Sequence, residues 1–151
     1  MPPLAILLGL GGLIPFVGCG LGAMTRSAGA DQLLSALIGY GAVILSFLGG
    51  IQWGLALPSA RGARQQWRLA LGVLPSLVGW GALLLTLILP GWVALAVLGV
   101  AFVATALGEQ RASYETALPA GYMLLRWVLT CVVVAMLVTV LTVRVLGLRL
   151  V

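Results

Sequence analysis

The chain has 151 residues, 62% of them hydrophobic and only 7% charged, and its net charge of +5 rests on arginine, because lysine and histidine are absent. Soluble domains carry about 25% charged residues, and no hydrophilic stretch here is long enough to bury a water-soluble core. The basic balance does not point to nucleic acid, since the arginines sit at the ends of apolar runs and form no stripe, which is the pattern of membrane orientation and headgroup contact.

In chain order, the first apolar run covers about 4–24. Val17 to Cys19 has the look of a lipoprotein cleavage box, but no positive charge precedes the run as a signal's n-region requires. It reads as a retained first span, with Pro15 expected as a kink whose freed carbonyl is met by neighbouring helices. The second run is 33–57, after a polar connection holding Arg26 and Asp31. The third is 69–89, after a connection with Arg61, Arg64 and Arg68. The Leu-Pro-Gly-Trp sequence at 89–92 predicts a tight turn, hence an antiparallel hairpin with the fourth run, 92–107. That run is short, because a crossing helix needs roughly 20 apolar residues. The longest connection, 108–121, carries Glu109 and Glu115, and the fifth run is about 122–143.

These runs predict an all-α, polytopic integral membrane bundle of five transmembrane helices with short loops, residues 1–151 forming a single membrane domain. Helices follow because lipid offers no partner to backbone groups, and no run alternates as a barrel strand must. Five crossings put the termini on opposite sides. The N-terminal side then holds Arg61, Arg64, Arg68, Arg111 and Arg126, against Arg26, Arg144 and Arg149 on the other. The excess favours a cytoplasmic N-terminus and a periplasmic C-terminus in a bacterial inner membrane.

Two kinds of residue stand out inside the runs. Ala42, Ser46, Gly50 and Gly54 recur every four residues in the second, and Gly18 and Gly22 offer a similar groove in the first. Small residues let helix backbones approach in lipid, where no hydrophobic drive joins them, so these are the expected helix-packing positions, with a dimer seam as the alternative. Gln52 and Trp53 lie about one and a half turns inside Leu57. Trp53 suits an interfacial aromatic belt. An amide facing hydrocarbon is costly, so Gln52 should face the bundle and hydrogen-bond another helix. By topology the candidates for its company are Pro75, Ser76, Glu109, Arg126 and Thr130, and Gln52, Glu109, Arg126 and Thr130, with Trp53, form the candidate polar pocket at the inner end. A charge inside a span is by default a functional-site hypothesis; the alternative for Arg126 is snorkelling to headgroups. Cys19 and Cys131 lie in apolar runs without zinc or redox spacing and read as buried structural thiols.

Gly12 to Phe16 (GLIPF), Tyr40 followed by Ile44 to Gly54 (ILSFLGGIQWG), Leu74 to Ser76 (LPS) and Leu124 to Thr130 (LLRWVLT) resemble, in order, the domain-of-unknown-function 3429 family, the mitochondrial transmembrane protein 69-like proteins. The resemblance touches four of the five runs. It implies a small multi-spanning protein of bacterial or mitochondrial inner membranes and brings no activity, substrate or cofactor. In that family the Gln52 position varies, which argues against a catalytic role there.

The functional expectation is a non-enzymatic accessory, assembly or docking subunit of a larger membrane complex, in contact with membrane lipids and other integral subunits. The alternative is a small carrier or lipid/quinone-binding protein using the inner-end pocket. Acid–base or nucleophilic catalysis has few groups to draw on in a chain with three acids and no histidine or lysine. No catalytic residue, metal ligand or cofactor is expected, apart from a bound lipid or quinone on the alternative reading.

Overall fold

Long apolar segments with no hydrogen-bond partners in lipid close their backbone bonds within themselves, and the structure, a computed structural model, does this throughout. It describes residues 3–57, 62–113 and 121–148. The elements are α1 (Pro3–Gly11), α2 (Leu13–Ala23), α3 (Ala30–Ala56), α4 (Ala63–Leu85), α5 (Gly91–Ser113) and α6 (Tyr122–Leu146). Counting α1 and α2 as one interrupted span, five helical segments among the described residues are long and apolar enough to cross a membrane. Arg61, Glu115 and Arg149 lie outside the described residues.

Three boundaries differ from the sequence reading. The short fourth run is a full 23-residue helix, because α5 continues through Gly108 to Ser113 into what composition marks as a loop. α4 begins earlier than its apolar run, at Ala63, and ends at Leu85. The turn to α5 therefore opens before the Leu-Pro-Gly sequence, with Leu89 N–H closing on the Leu85 carbonyl at 2.8 Å. Polar residues join a helix readily once its axis passes the hydrocarbon, so apolar runs underestimate helix length there.

Span one breaks at Gly12. Pro15 has no N–H for the carbonyl of Gly11 and its ring crowds that carbonyl, which disrupts one turn. The Tyr40 hydroxyl, on α3, donates to the neighbouring Gly12 carbonyl at 2.9 Å. The expected break is present, and the bond from α3 goes to the carbonyl beside the freed one rather than to the freed one itself.

α3 lies at the centre, packed on α2, α4 and α5, while α6 packs on α5, α2 and α1. The core runs through Phe16, Leu37, Leu45, Leu98, Phe102 and Leu137. Phe16 meets Tyr40 and Phe102 edge-on, with centroids 5.0 and 5.9 Å apart, a geometry worth about 0.5–1.5 kcal/mol per pair beyond burial. Buried positions on α6 are Arg126, Thr130, Val133, Leu137 and Val140, one continuous stripe that is polar at its start and apolar beyond.

The small-residue contacts differ from the expected ones. Ala42 is buried against Gly79 of α4, but Gly50 and Gly54 have open space where a Cβ would stand. The close approach is at Gly49, whose absent Cβ would strike the Gly72 carbonyl, and at Gly72, where it would strike Trp53. A four-residue repeat rotates about 40° per step around a helix of 3.6 residues per turn, so Gly54 stands about 120° away from Ala42. The stripe that looks straight in the sequence winds off the α4 contact. In α2, Gly22 is pressed by Leu33, Gly18 is open, and Gly20, which the spacing did not single out, accommodates Met136 of α6. Ser46 turns its hydroxyl back to the Ala42 carbonyl at 2.9 Å.

Candidate functional site

The buried polar residues, Gln52, Glu109, Arg126 and Thr130, lie at one end of the bundle, that of the end of α3, the start of α4, the end of α5 and the start of α6. Arg126 stands one turn into α6, about 6 Å along its axis, and Glu109 one turn from the end of α5. Their side chains meet across the two helices, Arg126 Nε to Glu109 Oε2 at 2.8 Å, with Glu109 only 1% exposed. Arg126 therefore does not snorkel. Its Nη1 donates to Thr130 Oγ1 at 2.7 Å, and that hydroxyl donates to the Arg126 carbonyl at 2.8 Å.

Tyr122, absent from the sequence-predicted set, completes the cluster by donating its hydroxyl to Glu109 Oε2 at 3.2 Å. The signal for it was available: Tyr122, Arg126 and Thr130 are spaced four apart and share one helix face. Glu109 Oε2 thus accepts two bonds, while Glu109 Oε1 and Arg126 Nη2 are buried with no partner among the described residues. A buried ion pair recovers its desolvation cost only when its remaining donors and acceptors are satisfied, so this one is held short of its full stabilisation.

Arg126, Thr130 and Tyr122 form the polar end of a cavity of about 340 Å³. The rest of its wall is apolar: Ala5 and Leu8 of α1, Phe16 of α2, Phe47 and Ile51 of α3, and Phe102 of α5. α1 packs on α2 and α6, and two residues of the cavity wall, Leu8 of α1 and Phe47 of α3, are exposed on the outside of the bundle.

Gln52 is buried but lies elsewhere. It lines a second hollow of about 320 Å³ with Arg68, Pro75 and Thr105, among others. The single pocket expected of Gln52, Glu109, Arg126 and Thr130 is not formed: Gln52 lines a hollow with α4 and α5, Arg126 and Thr130 line one walled by α1, α2, α3 and α5, and Glu109, paired with Arg126, lines neither. Trp53 lines neither hollow. Its indole donates to the Leu69 carbonyl at 2.9 Å, tying α3 to α4 at the bundle rim. Gln65 closes the same corner by donating to the Ala56 carbonyl at 3.1 Å. Cys19 is half-buried and Cys131 exposed, so the second thiol is not the core residue expected of it; it follows Thr130 by one residue and is turned about 100° from the buried stripe. Among the described residues no group of three or more metal-ligating side chains converges.

Residues 1–142 match the family model described as Protein of unknown function (DUF3429). The chain belongs to that family. Two curated relatives carry the name Transmembrane protein 69. The one from Xenopus tropicalis is 43% identical over 84 residues, which is 55% of this chain and 33% of that protein. The one from Mus musculus is 37% identical over 84 residues, 55% of this chain and 34% of that protein. The matched part is thus about a third of the length of either relative. No solved structure matches this DUF3429 member significantly. The resemblance carried by the GLIPF, ILSFLGGIQWG, LPS and LLRWVLT segments is borne out.

Proposed function

We propose that this protein is a non-enzymatic membrane protein that holds an amphiphile, a lipid or quinone, in the cavity ended by Arg126, Thr130 and Tyr122. The observation that carries this reading is the cavity's composition. Its volume is at the small end of ligand sites, its wall is apolar with a few polar groups at one end, and two of its wall residues are exposed on the outside of the bundle, toward lipid, where such a ligand already resides. In this reading the membrane is a bacterial plasma membrane or its mitochondrial counterpart, and the arginine-rich end, with the N-terminus, faces inward. Extraction into native nanodiscs followed by mass spectrometry tests it. Wild type should retain one amphiphile enriched over bulk membrane, and Ala5→Phe, which fills the cavity from α1, should reduce it by about tenfold. Identical lipid profiles in wild type, variant and bulk membrane would remove the reading.

The second reading is an accessory or docking subunit of a larger membrane complex. Its support is the open, side-chain-free strip at Gly50 and Gly54, which intramolecular packing leaves uncovered. The expected outcome is a defined partner, captured in mild detergent, that is lost from Gly50→Leu and Gly54→Leu while the monomer remains folded. A partner retained by both variants would exclude that strip as the contact.

A further inference from the structure

The charge balance at the polar end of the cavity restricts what its occupant's head can be. Arg126 is paired with Glu109, and Glu109 is also held by Tyr122, so the cluster is neutral as a unit. Arg126 nevertheless keeps a buried amino group, Nη2, without a partner among the described residues, while its side chain forms part of the cavity wall. Thr130 Oγ1 is occupied both as donor and as acceptor. Glu109 Oε1, the other unpartnered atom of the cluster, is not on that wall, so the unpartnered group there is a hydrogen-bond donor with no uncompensated positive charge behind it.

An anionic head, such as a fatty-acid carboxylate or a lipid phosphate, would bring a net negative charge into this low-dielectric enclosure against a cation already neutralised, which is costly. A neutral carbonyl oxygen matches the available donor and leaves the balance unchanged. The aromatic rings of Phe16, Phe102 and Tyr122 on the cavity wall favour a flat head over a branched one, and the exposed wall residues Leu8 and Phe47 give an aliphatic tail a route to the bilayer.

We infer that the cavity selects an amphiphile whose head is an uncharged carbonyl, best a ring-borne one as in a quinone, with Arg126 donating to that carbonyl. This rests on the reading of the cavity as an amphiphile site. Glu109 is then a positioning residue: it touches no ligand, but by neutralising Arg126 it sets which head is accepted.

The test uses the full chain in nanodiscs of zwitterionic lipid, titrated with three probes: a decyl-substituted benzoquinone, a short-chain diacylglycerol as a neutral ester carbonyl, and palmitate as an anion. Wild type should bind the quinone most tightly and palmitate about tenfold or more weakly. Ile51→Trp and Ala5→Phe, which narrow the cavity from opposite walls without touching the ion pair, should weaken the quinone. Glu109→Gln, which leaves Arg126 charged and uncompensated, should reverse the order so that palmitate binds better than the quinone, a change that mere loss of packing would not produce. Diacylglycerol equal to the quinone would keep the neutral-carbonyl inference and remove the preference for a ring. Palmitate tightest in wild type, and weakened by the two cavity-filling variants, would overturn the inference while leaving the cavity reading intact. No probe sensitive to either cavity-filling variant would overturn both.

Discussion

At the residue scale, the Arg126–Glu109 pair is where the sequence departs furthest from what lipid tolerates. Removing one partner strands the other, at a cost of about 3–5 kcal/mol for buried pairs, whereas replacing both by apolar groups of similar size is often close to neutral. Arg126→Leu alone should therefore destabilise the fold by about that amount, and Arg126→Leu with Glu109→Leu should regain most of it. Thermal unfolding of purified protein in one detergent, arranged as a double-mutant cycle, measures the coupling. A double variant as unstable as the single one would show that the pair's value lies in contacts other than its charge. If the double variant recovers stability, the pair costs the fold more than an apolar substitute, the outcome that the proposed amphiphile site expects of a pair kept for binding.

At the element scale, two contacts decide how the helices meet. Gly49 and Gly72 bring α3 and α4 to backbone distance, and a side chain at either would push them apart. Gly49→Leu should cost at least the roughly 1–3 kcal/mol typical of overpacking, since backbone rather than a flexible side chain is in the way. Gly50→Leu, one residue on and facing open space, should stay within about 0.5 kcal/mol. The two variants compared side by side in the same unfolding assay check the register, and equal losses would refute it. The break in span one is the second case. Tyr40→Phe removes the hydroxyl that meets the Gly12 carbonyl, a loss of about 0.5–1.5 kcal/mol for one hydrogen bond. Because the bond ties α3 to the joint between α1 and α2, hydrogen exchange at residues 11–16 should quicken in this variant more than in the rest of the bundle.

At the scale of the whole molecule, the bundle is fastened at its two ends by different chemistry. One end has the neutral Arg126–Glu109–Tyr122 cluster. At the other, Arg144, near the end of α6, donates to the Ala23 carbonyl at 3.0 Å and the Ala30 carbonyl at 2.9 Å, and pairs with Asp31. A single guanidinium thus satisfies a carbonyl at the end of α2, where unpaired carbonyls concentrate, and joins it to the first residue of α3. Asp31 is largely exposed, so its ion pair contributes little, and the two carbonyl bonds carry the contact. Arg144→Ala should destabilise the protein by about 1–3 kcal/mol. Asp31→Asn should cost well under 1 kcal/mol. Limited proteolysis of the 24–29 connection, faster in the first variant and unchanged in the second, checks the assignment. The sequence reading treated Arg144 only as a topological charge, because nothing local to α6 reveals that two other helix ends stop beside it.

What composition and order alone determined is the class of object: apolar runs of bilayer length leave backbone groups no option but helix, and the position of each polar residue along its run placed Gln52, Glu109, Arg126 and Thr130 at one end, since rise per residue is constant. The motifs likewise carried the family. Tertiary structure alone decided the directions around each axis. Helical phase accumulates about 100° per residue, so one register shift between neighbouring helices changes which glycine is covered and which polar group faces which hollow. That is why Gly49 rather than Gly50 meets α4, why Gln52 is separated from Arg126, and why Tyr122 joins Glu109. Depth in a membrane is a property of one helix and can be read from it; facing is a property of a pair and is settled only when the pair packs.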